Sequence, residues 1–383
     1  MKQALKLIGS LIAGGGFGLG IAYIGLYIAT GMPLDDFLEK FAAIGLPELG
    51  GVVIMAVQFA TLAFYLQIIL HEAGHLVCGL ATGYRFVSFR ILSLTLIRQE
   101  GKLRIKRFGI AGTGGQCLLT PPDLPLEEIP CTLYNLGGVL ANLLAVLLSV
   151  ALLLGVEGLP HPLELFLLMM ALFGTLLLAM NGIPMKIGGI SNDAENMRLL
   201  RKDLQSKRAM VVQLRANALV QEGMRPREMP AGWFEEEGKR DYRNALLVTV
   251  RLMRASRLQD NEEWEKAYEA LEEIEAHREE IIGLLVNETE CELMFTAWVT
   301  QRTERAEQLC SDRLLTYIQR YKKVMSSKQR ILCALALYRD KDAARAKEIY
   351  EELCLRQADY LMQGEVRSDI ALMQSMLTQA NVL

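Results

Sequence analysis

The pentad His71-Glu72-Ala73-Gly74-His75 has the residue types and the spacing of a hydrolytic metal site. Two histidines four apart stack on one face of a helix and can offer two imidazoles to one metal ion, with Glu72 beside them as a base for water. Zinc in a hydrolytic site takes three protein ligands and leaves one position open. A third ligand must therefore come from elsewhere, and one Zn2+ ion is the expected cofactor.

Taken alone the pentad arises by chance, but here it interrupts an apolar run. Residues 52–70 carry no charge, and apolar residues resume after Glu72 as far as Thr82. An ionisable group at membrane depth costs a few kcal/mol unless a partner compensates it. A bound cation explains three such groups in one turn, and the pentad holds two of the four histidines in the chain. The others are poorly placed: His161 falls in a short loop and His277 in the charged half. Asp193 is the better third ligand, since it follows the last apolar run at the end where the pentad also lies. Its plainer role is to cap a helix starting near residues 191–193, and Glu195 is the other acid within reach.

The elements that must carry these residues follow from composition. The 383 residues are 51% hydrophobic, and mean hydropathy is +0.22. Long uncharged runs lie between residues 7 and 185, and most charges lie in residues 186–383. Net charge is −3 with no basic arm, so nucleic acid is not an expected partner. The seven cysteines form no CxxC pair and are expected to be free thiols.

Four runs reach the ~20 residues that cross ~30 Å of hydrocarbon: 7–30, 52–82, 131–156 and 163–184. The first is longer than a signal-peptide core and is expected to remain as a span. Arg85, Arg90, Arg98, Lys102, Arg104, Lys106 and Arg107 lie between the second and third runs. The positive-inside rule puts that loop in the cytoplasm, which makes the chain a multi-pass protein of the cell membrane with both termini cytoplasmic. Residues 87–108 read as a β-hairpin turning at Gln99 to Lys102. Residues 109–119 are expected as a further strand or a membrane-dipping segment, and Gly114-Gly115 as a strand edge for an extended substrate or a plain turn.

With these motifs in order, residues 50–200 resemble the site-2 protease family of intramembrane zinc metalloproteases. The resemblance rests on the HExxH helix, on Asn181-Gly182-Ile183-Pro184 leading to Asp193, and on Gly137-Gly138-Val139-Leu140-Ala141-Asn142. It implies zinc held by His71, His75 and Asp193, with Glu72 as the proton-transferring residue. Asn142 is expected to bind substrate backbone or the oxyanion, or else to join helices. Two departures stand out: Asp193 lies four residues further from the proline than is usual, and Val139 replaces a common proline. No PDZ-like insertion or terminal nucleotide-sensing module is visible.

In the charged half, residues 194–221 read as one amphipathic helix and residues 223–232 as a linker. Beyond it Ala267, Ala306 and Ala346 recur at intervals of 39 and 40 residues in similar contexts, similar to a degenerate tetratricopeptide array that could dock a protein partner; the alternative is a generic helical bundle in which the spacing is accidental. The expected molecule is mostly α: a polytopic membrane protein with about four transmembrane helices, a small cytoplasmic β-hairpin and a C-terminal α-helical tetratricopeptide-like domain. Its divisions are a membrane metalloprotease domain 1–190 (extra helix 7–30, core 50–190), a helix and linker 191–240, and helical repeats 241–383. The expected activity is zinc endopeptidase action on a transmembrane or membrane-anchored protein or peptide within the lipid bilayer. The alternative is a non-proteolytic membrane-anchored scaffold that binds a partner.

Overall fold

The computed structural model describes residues 32–42, 46–99, 101–107, 114–235 and 240–383. The expected span over residues 7–30 lies outside them. The described chain is mostly helical, with helices α1 (Leu34–Ala42), α2 (Leu46–Ala81), α3 (Cys131–Gly155) and α4 (His161–Gly182) in its first half. Segments Gly50–Ala81, Leu126–Gly155 and His161–Gly182 are long and apolar enough to cross a membrane. Between 11% and 28% of each apolar window is buried inside the protein. Helices satisfy every backbone group internally, which suits them to lipid, and their outward apolar side chains need a non-aqueous surround.

The described residues form two compact units. One holds those up to Leu62 together with Leu159–Phe166, and there the rings of Phe59 and Phe166 meet edge-on at 5.8 Å. Everything else belongs to the second unit.

In that unit α2 and α3 touch backbone to backbone. A Cβ on Gly74 would lie 2.2 Å from the Gly137 carbonyl oxygen, and one on Gly137 would lie 2.4 Å from that of Gly74. Glycine is required at both positions, because small residues let membrane helices approach this closely.

The basic loop folds as a four-stranded antiparallel sheet, so a hairpin understates it. Strands β1 (Arg85–Ile91), β2 (Leu94–Gln99), β3 (Lys102–Arg107) and β4 (Gly115–Thr120) lie in the order β3-β2-β1-β4. The expected hairpin is β2–β3, with Gln99 opposite Lys102. Residues from Gly115 onward form β4, the strand alternative for this segment, paired with β1 across a bulge between Phe86 and Ser88. Tyr84, Cys117, Leu119, Ile129, Cys131 and Tyr134 pack into one core with Leu200, Met210 and Val211.

A short hairpin, β5 (Lys186–Ile187) and β6 (Ile190–Ser191), follows α4. The expected helix over 194–221 is two helices, α5 (Asp193–Lys202) and α6 (Leu204–Glu222). Asp203 separates them: its backbone is extended and its carboxylate accepts from the Gln205 and Ser206 amides, starting a new helix. The expected linker is packed, with Pro226 and Met229 buried.

Helices α7 (Ala245–Asp260), α8 (Trp264–Glu275), α9 (Gly283–Val299), α10 (Thr303–Leu309), α11 (Asp312–Tyr321), α12 (Ser326–Ala334), α13 (Ala343–Arg356) and α14 (Gln363–Gln379) complete the chain. The turns α7–α8, α9–α10 and α12–α13 share a conformation: Glu262, Gln301 and Lys341 have φ of 57°, 59° and 57°. Each stands five residues before Ala267, Ala306 or Ala346, all three fully buried. The alanine spacing therefore marks one helix–turn–helix geometry used three times.

Candidate metal centre

Asp193, far along the chain, meets the two histidines of α2. Its Oδ2 lies 3.1 Å from His71 Nε2 and 3.3 Å from His75 Nε2, and the two Nε2 atoms are 3.2 Å apart. A tetrahedral ion with bonds of ~2.0–2.1 Å needs donor atoms about 3.3 Å apart. The three atoms thus have the spacing of one triangular face of a tetrahedral zinc shell. Each imidazole is 11% exposed and the Asp193 side chain 20%.

Proton bookkeeping supports a cation at their centre. Gln67 Nε2 donates to the Met170 carbonyl at 2.8 Å, so Gln67 Oε1 is left to accept from Asn142 Nδ2 at 2.7 Å. Asn142 Nδ2 also donates to the Gln67 carbonyl at 3.0 Å. Asn142 Oδ1 must then accept, and His71 Nδ1–H donates to it at 2.7 Å. His75 Nδ1–H donates to the Tyr134 carbonyl at 2.8 Å. In neutral imidazoles both Nε2 lone pairs are therefore free and face the Asp193 carboxylate. Asp193 Oδ2 is buried without a hydrogen-bond partner. Three electron-pair donors converging with no proton between them fit a divalent metal, and the bonds at each Nδ1 are the outer partners that orient ligand imidazoles.

The local fold explains why Asp193 is available. Asn192, rather than Asp193, is the N-cap of α5, with its Oδ1 accepting from the Glu195 amide at 2.9 Å. The same oxygen accepts from the Met185 amide at 3.2 Å, and Nδ2 donates to the Met180 and Ile183 carbonyls, each at 2.6 Å. One side chain thus ties the end of α4 to the start of α5. Gly188 and Gly189, with φ of 59° and 85°, turn the β5–β6 hairpin, and the Asn192 amide returns to the Met185 carbonyl at 3.1 Å. The extra length before Asp193 is looped out, and the chain resumes opposite Met185. Glu195, the other acid considered, is engaged by both Nε and a terminal nitrogen of Arg198 at 2.7 Å.

Glu72 is half-buried beside this face and makes no hydrogen bond among the described residues. It packs on β4, where a Cβ at Gly115 would lie 2.6 Å from Glu72 Cγ and 2.7 Å from Oε1. Gly115 is therefore brought to the centre. Gly114 lies against Ile68, and its carbonyl accepts from the Leu92 amide at 2.9 Å. Asn142 is fully buried and its polar atoms are committed to His71 and Gln67, which matches the helix-joining alternative rather than a substrate contact. Asn181 donates to the Leu177 carbonyl one turn back, at 3.2 Å. His161 pairs with Glu164, and His277 stacks on Tyr242 and pairs with Glu280.

Sequence reasoning passed over Gln67, Asn192 and Tyr134, and took Gly138 only as part of the motif at residues 137–142. Gln67 had a signal, a polar residue one turn before His71 in an uncharged run. Tyr134 acts here through its carbonyl, which leaves no side-chain signal. Gly138 is the seat of His71, since a Cβ there would lie 2.5 Å from the imidazole.

No family model, curated protein or solved structure matches the chain.

Proposed function

We propose that this chain is an intramembrane zinc endopeptidase of the site-2 protease type, cutting transmembrane or membrane-anchored proteins or peptides. The observation that carries the reading is the convergence of His71 Nε2, His75 Nε2 and Asp193 Oδ2 beside the uncommitted carboxylate of Glu72, at one end of apolar, membrane-length helices. His71, His75 and Asp193 would hold the ion. Zinc so held lowers the pKa of a coordinated water to near 7 and polarises a carbonyl.

The residues of the chain supply the rest. Glu72 accepts the proton of the attacking water and returns it to the leaving amine. Asn142 and the Tyr134 carbonyl keep the two imidazoles in the tautomer that ligates. Strand β4 ends the sheet, and its first residue, Gly115, lies on Glu72. An extended substrate segment pairing along β4 passes within reach of that carboxylate, as in β-augmentation. Any side chain at 115 would take the space Glu72 occupies.

In this reading the chain is a multi-pass protein of the cell membrane with four spans, the basic sheet and both termini cytoplasmic. The helical hairpins form a tetratricopeptide-like docking domain. The test is cleavage of transmembrane peptides by the purified chain in detergent, alongside Glu72→Gln and the measured zinc content of each. Zinc in both, with cutting by the wild type alone, is the expected result. Zinc in both without cutting of any substrate would overturn the protease reading in favour of a binding scaffold.

A further inference from the structure

Away from the metal centre, the helical hairpins line a half-open cavity of about 260 Å³. It is bounded by α7, α9 and α12, the first helices of the three repeated hairpins, and flanked by α6 and α14. Its apolar walls include Val220, Leu252, Met253, Leu285, Met325 and Leu372, and its charged lining is Glu288, Glu292, Glu365 and Asp369 with Arg330.

The charges do not balance. Arg330 pairs with Glu292 at 2.6 Å and lies 2.9 Å from Asp369. Lys328, fully buried just behind the lining, pairs with Glu288 at 2.8 Å. Four carboxylates thus face two cations. Glu365 is the one left over: it lines the cavity and has no hydrogen bond or ion pair among the described residues. Glu365 is half-buried at the cavity surface, where a ligand that enters could pair with it. Burial and the neighbouring Asp369, Glu288 and Glu292 push Glu365 up to about 8, so an entering positive charge would meet a group whose ionisation it favours.

The surroundings narrow the class of cation. A metal ion needs several free oxygen donors, and the other three carboxylates are already engaged. The apolar and methionine-containing walls suit an aliphatic stem with a charged tip. The successive first helices of stacked hairpins form the kind of continuous surface on which an extended chain lies.

We propose that this cavity receives a lysine or arginine side chain of a linear, otherwise apolar peptide segment, with Glu365 accepting the charge. The site is independent of zinc, so its fate is separate from that of the proteolytic reading.

The test uses the full-length chain in detergent and a fluorescein-labelled peptide, Met-Leu-Lys-Leu-Met amide, followed by anisotropy. Two further peptides carry norleucine or glutamate in place of lysine. The lysine peptide should bind about tenfold or more tighter than the norleucine peptide, and the glutamate peptide weakest. Glu365→Gln should bring the lysine and norleucine peptides within about twofold of each other. That variant removes no existing hydrogen bond, and its melting temperature should be no lower than the wild type's. Equal binding of lysine and norleucine peptides to the wild type, a lysine preference that survives Glu365→Gln, or no binding by any peptide would each overturn the proposal.

Discussion

Replacing Asn192 by alanine should weaken zinc binding without removing a ligand. The side chain makes four hydrogen bonds, at 2.6, 2.6, 2.9 and 3.2 Å, joining the last turn of α4 to the first turn of α5. At ~0.5–1.5 kcal/mol net for each, their loss loosens that junction by roughly 2–6 kcal/mol. Asp193 is the next residue, and its carboxylate must stay within 3.1–3.3 Å of both imidazoles to close the donor triangle. Outer partners of metal ligands typically contribute about 10–100-fold in affinity, and a loss in that range is expected here. Asn192→Asp keeps the cap acceptor but loses both donations to the α4 carbonyls, and should fall between wild type and alanine. The assay is equilibrium competition for zinc against a chelating dye at fixed pH, with circular dichroism to confirm that the helices persist. If Asn192→Ala held zinc as tightly as the wild type while Asp193→Ala did not, the positioning argument would be refuted.

Gly138→Ala should lower zinc occupancy, because the new Cβ would lie 2.5 Å from the His71 ring, whereas Gly155→Ala meets nothing within 4 Å and should be silent. Zinc should dissociate as the solution is acidified, since protons compete for the same lone pairs; metal content after dialysis across a pH series checks this. Glu365 has its folded pKa raised to about 8, above its ordinary value of 4.5. The folded state therefore holds a proton that the unfolded chain releases, and stability falls as pH rises between those values, by at most ~5 kcal/mol and less for the partial exposure of the group. Urea melts at pH 5 and pH 9 should show Glu365→Gln flattening that fall, the remaining fall coming from Asp369, which burial raises to about 6. Ala306→Leu, at a fully buried repeat position, should cost roughly 1–3 kcal/mol by overpacking, read as a lower melting temperature.

The convergence of the three side chains was legible because a metal site would need particular residue types. His71 and His75 stood out by spacing, and Asp193 by its place after the last apolar run; the structure brings the three together. What stayed hidden depends on backbone geometry. The turn through Gly188 and Gly189 explains how a distant aspartate returns to the helix end, and Asn192 takes the capping role that Asp193 would otherwise have had. Asn142 showed its importance but not its task, since an asparagine on a membrane helix serves substrate or a neighbouring helix equally well on paper. In the basic loop, alternation revealed β2 and β3, whereas the pairing of β1 with β4 joins strands distant in sequence and leaves no local sign. The reading of 194–221 as one helix missed Asp203 because its effect depends on a change of backbone direction. The repeats were legible for the opposite reason, because one turn conformation recurs with one buried alanine five residues on.

The most direct test of the central claim is the zinc content of the purified full-length chain after exhaustive dialysis at neutral pH. One zinc per chain is expected in the wild type and in Glu72→Gln, and almost none in Asp193→Ala or in the His71→Ala, His75→Ala double variant. A folded wild-type chain that neither keeps zinc nor takes it up when supplied would contradict the account.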